Sequence, residues 1–444
     1  MSVAVYQGPF GREQAERLLW RAGFGPRPGE VDALSRLGLD AAVRSLTRPG
    51  RERFVGAAPR DDKGRALAPT DVWGHDHLWW LDRMVRTSRP LVERMTLVWH
   101  DWFATSLAGV GSQKLMLNQN KLIRRLALGS FDTLLRELTK DPAMLLWLSG
   151  TENTKWSPNE NFARELMELF TLGAGRGYTE GDVREQARAL TGFRKDWRRG
   201  AGNVNFRFES DRHDSGEKRV FGKTGNFDWK DAVRLCLEHP KHGSFFVEKL
   251  WSYFIPTAPD AATRRSLEAL YRKELKILPV VEAILRHPAL HTGPRMVKPA
   301  AVYNAGLLRA VGRGVDTFAW AWLSGQSGQR LFMPPNVSGW NDERWLDTAT
   351  FRGRWELANY ASRPFALTEK EAASLPAEPQ ALVDGAVTFW GSPTLRQETR
   401  AALVEFATNA MGDADVRWKR TSYRYLVANA LRQLVAVSPD LQTS

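Results

Sequence analysis

One cysteine, Cys236, stands in 444 residues. A lone thiol excludes a disulfide within the chain, and with it any Cys-based metal site or c-type haem attachment. Cys236 falls in an apolar helical run with Ala232, Val233, Leu235 and Leu237, the pattern of a core residue. No apolar run approaches the ~20 residues that cross a bilayer, so no membrane span is expected. Met1-Ser2-Val3-Ala4-Val5 lacks a charged n-region followed by an apolar h-region. The expectation is therefore a cytoplasmic location, with export beside a leader-bearing partner left open. A Gly-x-Ser-x-Gly elbow, a phosphate loop and a dinucleotide fingerprint are missing, which disfavours serine hydrolase, nucleoside-triphosphatase and dehydrogenase readings. Basic tails, zinc-finger spacings, RNA-binding aromatic signatures and tandem repeats are missing too, which disfavours nucleic acid as a partner.

What is present is ordinary in bulk and unusual in detail. Hydrophobic residues make up 43% and charged residues 25%, as in globular proteins that bury a core without staples. The net charge of +13 favours an anionic ligand. That charge is spread out, and its densest clusters are Arg194, Lys195, Arg198 and Arg199, then Arg417, Lys419 and Arg420. Eighteen tryptophans are many for this length, and Trp156, Trp197 and Trp418 stand beside basic residues.

Helical periodicity dominates and predicts a mainly α, multi-helix globular bundle. Stretches 74–87, 89–105, 113–128, 130–139 and 141–149 follow one another, separated by turn signals such as Ser88-Arg89-Pro90 and Asp141-Pro142. Between about 195 and 227 the pattern changes. Asn203 to Phe208 alternates polar and apolar, and Val220-Phe221-Gly222 offers a second short strand, so a small β-hairpin or polar loop insert is expected. Helices return near 228–239, 243–255, 260–273, 277–286, 294–311, 351–362, 379–390, 394–410 and 420–437. Three parts are expected: an N-terminal helical segment (1–50), a helical body with the insert (71–320), and a Gly/Pro/Trp loop with C-terminal helices packed on the same body (321–444).

The densest polar pattern runs from Ser157 to Gly173. Ser157, Pro158 and Glu160 read as a helix start with a capping box, and Phe162, Leu166, Leu169 and Phe170 as its apolar face. At 100° per residue, Asn161, Glu165 and Glu168 share a stripe at the edge of that face, with Arg164 on the other side of Glu168. Thr179 and Asp182 form a second capping box, and the helix that follows carries Arg188. His213-Asp214 comes next, with Lys218 four residues on. Buried carboxylates are costly unless paired or ligated.

These runs resemble a bacterial family known as domain of unknown function eighteen hundred. The resemblance rests on Asn159 to Gly173, Tyr178-Thr179-Glu180, Ala187 to Gly192, and His213-Asp214 with Gly216, Lys218 and Gly222. It extends to Leu19 to Gly25, Asp141 to Leu145, Pro334 to Val337 with Gly339-Trp340, and Ser438 to Gln442, nearly the whole chain. It implies a family of unestablished activity. Members are often encoded beside a second family related to sulfatases and alkaline phosphatases, and many carry a leader, which this chain is expected to lack. Trp102 stands where many relatives are expected to carry His, which weakens a two-histidine site with His100.

Two functional expectations follow. The first is an enzyme whose site joins Asn161, Glu165, Glu168, His213 and Asp214. Glu165, Glu168, His213 and Asp214 would be ligands of a divalent metal, and Arg164, Arg188, Lys218 and Trp340 would be binding residues. The structural counterpart is a salt-bridge network that locks the helices together. The second is a non-catalytic scaffold or partner, for the sulfatase/phosphatase-like neighbour or an anionic polymer. His100, on an apolar helix, reads as a core histidine. Pro334 to Asn341 reads as a rigid loop packing Trp340, or as a pocket wall for a sugar or peptide.

Overall fold

The computed structural model describes residues 3–412 and 417–444, without the side chains of 417–420. Arg417, Trp418, Lys419 and Arg420 thus lie outside the described side chains. The chain is mainly α-helical, with two small antiparallel hairpins inserted. The helices that position the site are α1 (Arg12–Arg21), α2 (His75–Arg86), α3 (Pro90–Trp102), α4 (Gln113–Leu126), α5 (Asn161–Glu165), α6 (Glu180–Ala189), α7 (Trp229–Glu238) and α8 (His242–Ser252). α9 (Ala300–Ala310) and α10 (Thr348–Ser362) follow. Among the described residues no helix is long and apolar enough to cross a membrane.

Local chemistry explains the starts. Pro90 fits the first turn of α3, where no N–H is needed. Thr179 and Asp182 cap α6 reciprocally, as their spacing predicts. The expected start at Ser157 is corrected. The backbone of Ser157 pairs with Thr154 in an isolated bridge. The side chain of Asn153 accepts from the Asn159 N–H and that of Asn159 from the Asn161 N–H, so the helix begins at Asn161. It then passes into a π-helix, Leu166–Leu172. The expected helix over 294–311 begins only at Ala300, because the segment before Pro299 pairs with the C-terminal strand-like residues through Met296, Lys298, Gln442 and Ser444.

The insert is two hairpins. β1 (Phe193–Arg198) pairs with β2 (Gly202–Phe208), and β3 (Lys218–Val220) pairs with β4 (Lys223–Gly225). Phe193 and Val220 anchor them in the core.

Apolar side chains gather in two cores. One joins α1, α3, α5, α6, α7 and α8, and holds Cys236, whose thiol burial pushes up to about 12. The other joins α2, α9, α10 and the C-terminal helices. α3 feeds both: Val98 and Trp102 belong to the first, Leu97 to the second. A helix shared by two cores has little freedom to rotate, so what it carries between them is held firmly.

Candidate functional site

The two cores meet around a hollow of about 170 Å³. Arg94, Leu97, Val98 and Asp101 line one wall. Their spacing of three, four and seven residues is a single stripe of α3. α8 supplies Lys249 and, at its C-cap, Tyr253, four residues apart on one face. Trp340, Asp342 and Trp345 close it from the loop before α10.

Asp101 is the best-held group. Its Oδ2 accepts from the Tyr253 hydroxyl at 2.7 Å and its Oδ1 from the Trp340 N–H at 2.8 Å. Burial nevertheless raises its carboxyl above the usual range. The tight approach of the loop depends on Gly339: its φ is +92°, and a Cβ there would stand 2.3 Å from Asp101 Oδ1. Burial also raises the Tyr253 hydroxyl well above an ordinary phenol, and the Asp101 charge adds to this.

Lys249 faces the same hollow without a carboxylate within ion-pairing distance among the described residues. Its neighbour Glu248 points outward to Arg176 and Arg264. The ammonium of Lys249 lies 4.6 Å from the centre of the Trp102 ring and 5.7 Å from that of Phe245. Burial pulls it down to about 8, and only the Asp101 charge opposes this. Arg94 donates only to backbone carbonyls, those of Arg21 and Tyr253, and burial pulls it down to about 10. A lysine this low divides between ammonium and free amine near neutral pH, which suits it to move a proton.

The motif helix reaches Lys249 and two residues behind the hollow's wall through its backbone. Lys249 Nζ donates to Leu169 O at 2.9 Å, Trp102 Nε1 to Phe170 O at 3.1 Å, and His242 Nδ1 lies 2.9 Å from Thr171 O. These are carbonyls of the last turn of the π-helix, which lack partners within the helix and carry its negative end. π turns are often kept at functional sites. Here the turn presents an acceptor to a lysine.

The residues expected to act are divided differently. Arg164 pairs with Glu160 and Glu180, not with Glu168. Glu168 accepts from the Tyr178 hydroxyl at 3.1 Å. Glu165 is raised by burial and by the Glu168 charge. Asn161 is exposed. The Asp214 carboxylate accepts from Arg188 Nε at 2.7 Å and Nη2 at 3.2 Å and from the Gly216 N–H at 2.9 Å, and the Arg188 bonds lower it. Lys218 is buried and donates to the Asp214 and Gly216 carbonyls. His213 Nδ1 lies 3.0 Å from Thr191 O. Among the described residues no three His, Cys, Asp or Glu side chains gather as a metal site, so Glu165, Glu168, His213 and Asp214 are not brought together as a ligand set. The physical reason is that Arg188 and the Gly216 N–H already engage Asp214, and that Glu165 and Glu168 stand on the α5–π-helix segment while His213 and Asp214 belong to the loop between the hairpins. Trp340 alone of the expected binding residues lines the hollow.

His100 is buried against Trp80, Phe332 and Trp340, and burial pushes it down to about 3.

Asp101, Lys249 and Tyr253 were not singled out by sequence reasoning. A usable signal existed: Arg94 and Asp101 end an apolar stripe that ought to carry no charge, and Lys249 sits in the strongly apolar run Phe245 to Phe254.

No curated protein and no solved structure matches this chain. The pattern of a family described as "Protein of unknown function (DUF1800)" matches residues 17–443. With nearly its whole length matched, the chain belongs to the DUF1800 family.

Proposed function

We propose that the chain is an enzyme, and that the hollow between Asp101, Tyr253 and Lys249 handles protons on a small polar ligand bearing a hydroxyl or carbonyl group. The observation that carries this reading is Lys249. It is held among aromatic rings, pulled down to about 8 by burial, and faces a carboxylate it does not pair with. Such an arrangement opposes stability unless it serves a ligand. In this reading Lys249 takes and returns the proton, and Asp101 with Tyr253 positions a ligand hydroxyl. The indoles of Trp340 and Trp345 supply flat walls, and Trp345 Nε1 is a buried donor without a partner. The volume suits a single sugar- or amino-acid-sized group, well below the 300–1,000 Å³ typical of larger ligand pockets.

The experiment is competitive labelling of amines across pH, read lysine by lysine by mass spectrometry. Lys249 should titrate near 8, about two units below surface lysines. A panel of monosaccharides and small hydroxy and keto acids, screened by thermal shift, should contain a ligand that stabilises the native chain and slows Lys249 labelling. Lys249→Met should abolish that stabilisation. An ordinary lysine midpoint would sink the assignment.

A second reading is a scaffold or partner, for a sulfatase/phosphatase-like protein or an anionic polymer. It draws support from Trp156, 67% exposed, and from Trp197 on β1 of the insert, 71% exposed. Lys155 and Arg212 lie over the Trp156 ring. It would gain if the ligand panel failed while a polymer or that partner bound.

A further inference from the structure

A second concavity, of about 540 Å³, opens at the other end of α3. Val92 on its wall and Asp101 in the first hollow are nine positions apart, about 13 Å along the helix at 1.5 Å per residue. Its lining is strongly basic: Arg83, Arg89, Lys121, Arg124 and Arg125, with Glu52 as the acid among the lining residues. Lys121, Arg124, Arg125 and Leu128 recur at helical spacing, so α4 and the turn after it present one basic stripe to the opening.

The cations divide into two sets. Arg83 and Arg124 are neutralised. Both pair with the fully buried Glu93, and Arg83 also grips Glu52 with two bonds of 2.8 Å. Burial works against the Glu93 charge, but Arg124 and Arg83 outweigh it and hold the carboxyl below its usual range. The same two guanidiniums lie 5.5 and 5.3 Å from the centre of the Trp79 ring, which fixes their planes. Arg89, Lys121 and Arg125 form the second set. Among the described residues none of the three has a carboxylate within ion-pairing distance, and Arg89 Nε is buried with no hydrogen-bond partner. Like charges gathered without counter-ions repel, and a buried guanidinium N–H without an acceptor costs free energy. A rigid, paired floor under three unpaired cations is the arrangement expected of an anion receptor, with guanidiniums pre-oriented for two-pronged bonds to oxyanions.

We infer that this groove between α2, α3 and α4 is an oxyanion site, and that its ligand carries two or more phosphate or sulfate groups. Three free cations from two helices exceed what one singly charged group needs. Floor and cations are separate from the hollow of the proposed activity, so the site stands or falls independently of that reading.

Isothermal titration of the full chain with inorganic pyrophosphate tests it. Binding should be measurable at low salt and weaken steeply as salt rises. Arg89→Gln, Lys121→Gln and Arg125→Gln together should weaken it at least tenfold. These side chains hold no ion pair among the described residues, so the fold should survive. Arg36→Gln, Arg44→Gln and Arg352→Gln remove equal charge from exposed positions elsewhere and should change affinity less than twofold. A disulfated disaccharide is the second probe. Tighter binding than pyrophosphate assigns the oxyanion to a sulfated sugar, and weaker binding assigns it to a phosphate compound; both support the site. Absence of pyrophosphate and disaccharide binding, or equal losses in the two triple variants, overturns it.

Discussion

At the scale of single residues, the Asp101 carboxylate depends on an atom that is not there. Gly339 carries a φ of +92° and leaves no room for a Cβ beside Asp101 Oδ1. Gly339→Ala therefore meets two penalties, a backbone conformation that L-residues rarely adopt and an overlap with a buried carboxylate. Together they should cost about 2–4 kcal/mol, read as a lowered midpoint in chemical denaturation. The overlap can relax only by pushing the Trp340 N–H off Asp101, so the Lys249 midpoint should move with it. A variant that kept both the stability and the lysine midpoint of the native chain would show that the loop does not brace Asp101.

At the scale of elements, the motif helices serve as struts. Arg188 on α6 holds Asp214 with two bonds and touches Glu185 and the Glu217 carbonyl, so one guanidinium ties the helix to the loop between the hairpins. Asp214→Ala removes the acceptor and frees the Gly216 N–H. The expected loss is about 1–3 kcal/mol. It should be local: amide exchange and proteolysis should quicken across Phe193–Gly225 while α3 stays protected. Uniform loosening of the chain, or none, would contradict a strut.

The same helices show what a sequence makes legible. Thr179 and Asp182 announced α6 because a capping box is complete within four residues. The alternation from Asn203 to Phe208 announced β2 for the same reason. The start at Ser157 misled because Asn153 and Asn159 outcompete it through bonds that residue spacing does not reveal. The π turn was hidden, since a 3.6-residue period cannot register the extra residue, and it places the Leu169 carbonyl against Lys249. Asp101 and Tyr253, 152 positions apart, meet only through tertiary packing. Each alone looks like an ordinary residue of an apolar helix. The motif touches the hollow only at second hand, through the Leu169 carbonyl that accepts from Lys249.

At the scale of the whole molecule, the fold buries histidines that no carboxylate neutralises among the described residues. His77 and His100 are pushed down to about 3, His242 and His291 to about 4, in each case chiefly by burial. His242 is further committed, with Nε2 at 2.8 Å from the Tyr271 hydroxyl. Unfolding returns all four to water, where an imidazole titrates near 6.5. Between about pH 6.5 and 4 these four histidines therefore bind more protons in the unfolded chain than in the native one, so their contribution to stability falls as pH falls through that window, while the Asp141 carboxyl, pushed up to about 6 by burial, works the other way. Each histidine can contribute up to about 1.4 kcal/mol per pH unit. Lys249 acts in the opposite part of the scale. Its folded value near 8 lies below that of a free lysine, so the native state gains as pH rises from about 8 toward 10.5. In unfolding free energy measured by denaturant from pH 4 to 10, the histidines should thus add a rise below 6.5 and Lys249 a rise above 8, the latter opposed from about pH 9 by the raised Cys236 thiol. His242→Gln should take one histidine's share out of the first rise and Lys249→Met should lessen the second, which the depressed Lys298 also feeds, each without touching the other. If both variants kept the native profile, burial would not be what sets these protons.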